Sequence, residues 1–207
     1  MKPIFTRNID INKTAFVNWR TSKNEDIQNM LVLAEGFLTS SIELAKVALA
    51  SNKDKKADIL IFPILTNANH GIELYLKSLV WTLNKLMKSE NKIEEKHHDI
   101  KKILQTAKNK IEKYKNQKSL DFFNQETEEL QNYIDELFTR IKATPKNAKM
   151  DFSRYPFDNK YGNHFYIDEI GNVEVDLENF ISRFEKILET LDERISYFFY
   201  QELNQDW

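Results

Sequence analysis

The chain has 207 residues, a formal net charge of −2, 41% hydrophobic residues, 30% charged residues and no cysteine. This length suits one compact domain with its own core, and the lack of cysteine excludes disulfides, thiolate metal sites and a cysteine nucleophile. The start of the chain lacks the apolar core of a signal peptide, and its longest apolar run, ILIFPIL, is too short to span a bilayer. We therefore expect a cytoplasmic protein with no membrane partner.

Only four glycines and four prolines interrupt the chain, which predicts long helices. Residues 1–24 lack a long apolar period, and we expect them to form an extended segment over the body of one helical domain, 25–207. Apolar residues recur every three or four positions from about Asn24 to Ala50, which predicts the first helix.

The same period predicts a second helix from about Ala57 to Lys88, with Pro63 near its start. A third helix should begin near His98 or Asp99. A fourth should run from Ser119, a good N-cap, to Ile141.

The last helix should follow a long loop and a small β-hairpin. The loop, KATPKNAKMDFSRYPFDNKYGN, is rich in turn-forming residues. Alternating residues on both sides of IGN predict strands at 164–168 and 173–175, and Asp176 should cap a helix that reaches about Gln201. The predicted fold is thus all-α, an antiparallel bundle of about five helices with a loop and a hairpin inserted before the last one.

A polar lane runs along the second helix beside its apolar stripe. At 100° per residue, His70, Glu73 and Lys77 fall together, with Leu74 and Trp81 beyond them. A lane flanked by apolar surface on both sides is expected to be partly buried, so its charges need partners. Two interpretations remain open: a structural Glu73–Lys77 pair at the favourable spacing of four residues, or a functional site.

The charges are unevenly distributed along the chain. Residues 85–118 contain 11 Lys and five acidic residues, whereas residues 168–206 contain 11 acidic and three basic residues. One interpretation is a basic face that binds a polyanion. The other is that the two regions attract each other.

Three segments resemble the HEPN superfamily of helical-bundle proteins. They are HGIELYLKSLV on the second helix, HHDIKKIL at the start of the third, and SRYPFDNKYG in the loop. The resemblance covers roughly residues 25–203. It implies an all-α bundle, a homodimer, and work on RNA or nucleotides in bacterial defence or toxin–antitoxin control, with a cognate antitoxin or a nucleotidyltransferase as partner.

Catalytic members of that superfamily use an arginine followed by a histidine after four to six residues. The nearest such pair here is Arg154 and His164, with nine residues between them in the predicted loop and hairpin. The resemblance makes these two the catalytic candidates, because Arg suits phosphate contact and His suits proton transfer.

The candidate ligand-binding residues are His70, Glu73, Lys77, His98 and Tyr155. An aromatic ring beside a cation suits a base stacked next to its phosphate, although the RYPF segment is also suited to pinning the loop to the bundle. Asp151, Asp158 and Glu73 lack the ligand spacing of a metal site, and we expect no metal and no cofactor.

Three functions follow from these residues. The first is an RNA- or nucleotide-binding module. The second is a metal-independent endoribonuclease that uses the displaced Arg154–His164 pair. The third is a dimerisation or scaffold protein without a ligand.

Overall fold

A computed structural model describes residues 2–89, 98–144, 147, 149–169 and 171–203. These residues form an all-helical structure, which confirms the predicted fold class. Its α-helices are α1 Asp26–Ala50, α2 Ala57–Leu86, α3 Ile100–Tyr114, α4 Gln117–Glu126, α5 Glu128–Arg140, α6 Phe165–Asp168 and α7 Leu177–Ser196. A 3₁₀ turn, Ile11–Lys13, precedes them and a π-helical segment, Tyr197–Glu202, follows. Within the described ranges, no helix has the length and apolar character needed to cross a membrane.

The central helix is α2, which packs against α1, α3 and α7. Helices α1 and α2 are antiparallel: the Ser41 hydroxyl donates to the Ile64 carbonyl at 2.8 Å, and the Asn67 amide donates to Ser40 Oγ at 3.1 Å. They pack closely at Gly71, where an added Cβ would lie 2.6 Å from Cγ of Leu38. This contact fixes the face of α2 that looks toward α1.

Side-chain caps begin α3 and α7. Asp99 Oδ1 accepts from the Lys102 amide at 3.0 Å at the start of α3. Asp176 Oδ1 accepts from the Asn179 amide at 3.0 Å at the start of α7, which confirms the predicted cap.

The predicted fourth helix is two helices, α4 and α5, which meet at Thr127. The buried Thr127 hydroxyl donates to the Phe123 carbonyl at 2.7 Å and accepts from Gln131 Nε2 at 3.0 Å. Because a threonine hydroxyl competes with the backbone for hydrogen bonds, it favours a break here. Asn116, rather than Ser119, caps α4 through the Ser119 amide.

The predicted β-hairpin is wrong. Its first strand is the helical turn α6, and 173–175 pair with no strand among the described residues. The helical turn lets two consecutive rings pack inward: Phe165 contacts Phe152, with ring centroids 5.9 Å apart, and Tyr166 contacts Phe62 at 5.3 Å. A strand would direct Phe165 and Tyr166 to opposite faces, so packing overrides the alternating pattern.

Candidate functional site

The polar lane of α2 centres on Glu73, which lies on the side of the helix that faces the start of α3. Only 6% of Glu73 is exposed. Lys77, one helical turn later, places its Nζ 2.7 Å from Glu73 Oε1. The predicted structural pair is therefore present and is shielded from most of the solvent.

His98 joins this pair from the residues just before α3. Its Nδ1 lies 2.9 Å from Glu73 Oε1 and 3.1 Å from Oε2. His70 Nδ1 lies 3.8 Å from Glu73 Oε2, and its ring meets that of Phe37 edge-on, with centroids 4.5 Å apart. We call His70, Glu73, Lys77 and His98 the Glu73 cluster.

The cluster has a buried carboxylate and an outer layer of basic groups. The side chains of His70 and His98 are 40% and 59% exposed, whereas that of Lys77 is 13% exposed. A ligand from solvent therefore reaches the imidazoles first. The carboxylate behind them orients His98 through Nδ1, which favours the tautomer whose Nε2 accepts a proton.

Burial and the basic neighbours of Glu73 shift its pKa in opposite directions. Burial raises the pKa of Glu73, but the neighbouring His70, Lys77 and His98 together outweigh that effect and lower it from 4.5 to about 2. Glu73 therefore carries its negative charge across the whole physiological range. The cluster becomes net positive when either imidazole is protonated.

The lysine-rich α3 follows His98 directly. Its five lysines are Lys101, Lys102, Lys108, Lys110 and Lys113. Part of this charge is compensated within the fold, because Lys101 Nζ lies 2.6 Å from Asp135 of α5. Just after α3, Lys115 Nζ lies 2.8 Å from Glu202. The second of these contacts joins the basic and acidic regions of the sequence, as the mutual-attraction interpretation predicts.

The loop before α6 packs on α2 next to the cluster without contributing to it. The Thr66 hydroxyl lies 2.9 Å from Ser153 Oγ, one helical turn before His70. Phe152, which is buried, and Ser153 pin the loop, rather than the RYPF residues proposed from sequence. Tyr155 is exposed.

The two catalytic candidates lie on this loop in different environments. Arg154 is exposed and makes no ion pair within the described residues. His164 directly precedes α6 without capping it through its side chain. It is 1% exposed and places its Nε2 3.8 Å from Asp151 Oδ1. The structure therefore brings together His70, Glu73, Lys77 and His98, but it joins neither Arg154, His164 nor Tyr155 to them.

Sequence reasoning missed the part that Phe37 plays in the cluster. Its place in the apolar stripe of α1 predicted a core residue, yet it is half-buried and supports the His70 ring. Within the described ranges, no group of three or more His, Asp or Glu side chains is arranged to hold a metal ion.

Comparison of the chain with protein-family models, with curated protein sequences and with solved structures gave no match.

Proposed function

We propose that this protein binds RNA or a nucleotide, with a phosphate group held at the Glu73 cluster. The observation that carries the proposal is the arrangement of two exposed imidazoles and one lysine around a single buried carboxylate. Phosphate oxygens accept hydrogen bonds from imidazolium and ammonium groups. The buried carboxylate holds His98 in place before the ligand arrives.

The lysines of α3 extend this basic surface away from the cluster. Lys113 is exposed on the last turn of α3, and Lys102 is exposed on its first turn. A single-stranded chain with several phosphates would contact more of this surface than a mononucleotide would. The proposal therefore places one phosphate at the Glu73 cluster and the following phosphates along α3. The HEPN resemblance remains a prediction that agrees with this function.

Fluorescence anisotropy with a labelled single-stranded RNA and with a labelled adenine nucleotide tests the proposal. We expect His98→Ala and His70→Ala to weaken binding about tenfold each, the effect of one lost charge-assisted hydrogen bond. Lys186→Ala, at an exposed position of α7, a helix that contributes no residue to the Glu73 cluster, is the matched control and should leave the affinity unchanged.

The salt dependence, together with the histidine variants, separates binding at the Glu73 cluster from general attraction to the basic surface. RNA binding should weaken steeply with added salt. If salt abolishes binding while both histidine variants bind like wild type, the phosphate is held elsewhere on the basic surface. If wild type binds neither probe, the scaffold function replaces this one.

The endoribonuclease alternative has weaker support in the geometry. A general base has to reach the ribose hydroxyl, and His164 is enclosed by the loop and α6. Incubation of labelled RNA with wild type, Arg154→Ala and His164→Ala tests this alternative. Cleavage by wild type that both substitutions remove would establish the enzyme.

A further inference from the structure

Residues 2–21 form an N-terminal arm that leaves its large apolar side chains in solvent. Phe5 is 95% exposed and Trp19 is 78% exposed. The exposed apolar residues of the arm are Ile4, Phe5, Ile9, Ile11, Phe16, Val17 and Trp19. Single exposed apolar residues are normal on a protein surface, but such a concentration in one segment marks an interaction site.

The arm has internal order despite its exposure. Asp10 caps the turn Ile11–Lys13 by accepting from the Asn12 amide at 3.0 Å, and the Asn8 amide donates to Thr14 Oγ1 at 3.1 Å. A segment with a preformed turn loses less conformational entropy when it docks.

A side-chain clamp sets where the arm leaves the body. Asn29 Oδ1 accepts from the Ser22 amide at 2.9 Å, and Asn29 Nδ2 donates to the Ser22 carbonyl at 2.8 Å. The clamp holds the arm at the start of α1. Because α1 and α2 are antiparallel, this point lies beside the end of α2 and away from its first turns.

An apolar groove of about 850 Å³ lies at the other end of α2. The first turns of α2 line it together with α5, the loop around α6 and the start of α7. Its apolar lining includes Ile61, Phe62, Leu65, Phe165, Val175 and Phe180. A volume of this size matches pockets that enclose whole ligands.

The arm and the groove have opposite charges. The arm contains four basic residues, Lys2, Arg7, Lys13 and Arg20, and one acidic residue, Asp10. The groove is lined by five acidic residues, Asp135, Glu136, Glu169, Glu174 and Asp176, and three basic residues, Arg140, Lys142 and Arg183. The net charges are therefore +3 and −2, which favours their association.

We propose that the arm of one copy of this chain docks in the groove of a second copy, so that two copies exchange arms. The single chain leaves both apolar surfaces uncovered, and the Asn29 clamp releases the arm at the end of α2 opposite to the groove. The 17 residues between Ile4 and Ser22 span at most roughly 60 Å when extended, enough to reach a neighbour. Reciprocal exchange closes the pair with two equal contacts. This proposal does not depend on RNA binding.

Sedimentation velocity of the full chain and its variants tests the exchange. The arm variant is Phe5→Ser with Trp19→Ser, and the groove variant is Val175→Arg in a segment without regular structure. We expect wild type to dimerise and each variant to dimerise at least about 30-fold more weakly, the effect of losing one interface hot spot. Leu33→Ser, an exposed apolar position on α1, is the matched control and should dimerise like wild type.

Mixing the two variants gives the decisive result. The arm variant retains an intact groove, and the groove variant retains an intact arm. The mixture should therefore form a heterodimer that is more stable than the homodimer of either variant. Circular dichroism checks that both variants keep the helical fold. A mixture without heterodimers, a wild-type dimer that neither variant weakens, or a wild-type monomer at every attainable concentration would overturn the exchange. One more outcome would overturn the exchange: a wild-type monomer in which Trp19 is shielded from a fluorescence quencher, while Trp19 of the groove variant is accessible to it. That result would show that the arm occupies the groove of its own chain.

Discussion

Replacing Glu73 by glutamine removes the carboxylate from the Glu73 cluster while keeping the size of the side chain. In wild type, Lys77 Nζ lies 2.7 Å from Glu73 Oε1. In the variant this ammonium group faces a neutral amide, in a site that is largely shielded from solvent. His98 keeps an amide oxygen as a possible acceptor but loses the charged carboxylate that orients it. The substitution therefore removes the charge interactions with little change in packing.

The pKa of Glu73 sets the size of the effect. A pKa lowered from 4.5 to about 2 corresponds to about 3 kcal/mol of stabilisation, which solvent screening at the exposed imidazoles reduces to about 2 kcal/mol. Because the pKa is lower in the folded protein than in the unfolded chain, this stability is complete above about pH 5. It is lost as the pH falls toward 2.

Urea denaturation followed by circular dichroism measures the difference in unfolding free energy between wild type and Glu73→Gln. We expect the variant to be about 2 kcal/mol less stable near pH 7 and less than about 1 kcal/mol less stable near pH 3. Glu112→Gln, at an exposed position of α3, is the control and should change the free energy by less than about 0.5 kcal/mol. A difference between Glu73→Gln and wild type that is equal at both pH values would refute the electrostatic account.

Further predictions concern the packing around α2. Gly71→Ala should lower the unfolding free energy by about 1–3 kcal/mol, because its Cβ would meet Leu38 Cγ at 2.6 Å. Gly36→Ala should instead raise the unfolding free energy by up to about 1 kcal/mol, because its new Cβ would meet no atom within 4 Å. Thermal denaturation of the two variants checks both signs, and equal shifts would contradict the close approach of α1 and α2. Tyr133→Phe should cost about 1–2 kcal/mol in urea denaturation, because the buried Tyr133 hydroxyl donates to Asn69 Oδ1 at 2.8 Å; an unchanged midpoint would show that this hydrogen bond contributes nothing.

Periodicity predicted the long helices because each buries one face. The stripe of α2 includes Ile72, Leu76 and Leu79, all fully buried, and the lane beside them is partly buried, as the flanking Trp81 indicated. The local spacing of Glu73 and Lys77 was sufficient to predict their pairing. Contacts within one helix are encoded by positions three or four residues apart.

Contacts between distant segments were beyond this reasoning. His98 contacts Glu73 although 25 positions separate them in the sequence. Residue type alone does not show which distant side chain will contact a given helix. His164 was a catalytic candidate in a polar segment, yet it is buried, with the Tyr166 ring stacked 6.2 Å from its own. The groove forms where α2, α5, the loop and α7 meet, so no local pattern of the sequence marks it.

The contact of Gly71 with Leu38 has a consequence for ligand binding. A helix whose backbone rests directly on its neighbour has a fixed rotation about its own axis, because any turn would drive side chains into the opposing backbone. Glu73 lies two residues beyond this point, so the α2 half of the Glu73 cluster is held rigidly before a ligand binds. Any induced fit must therefore come from the His98 side. We expect a free and a bound structure to superimpose closely along α1 and α2 and to differ at the start of α3.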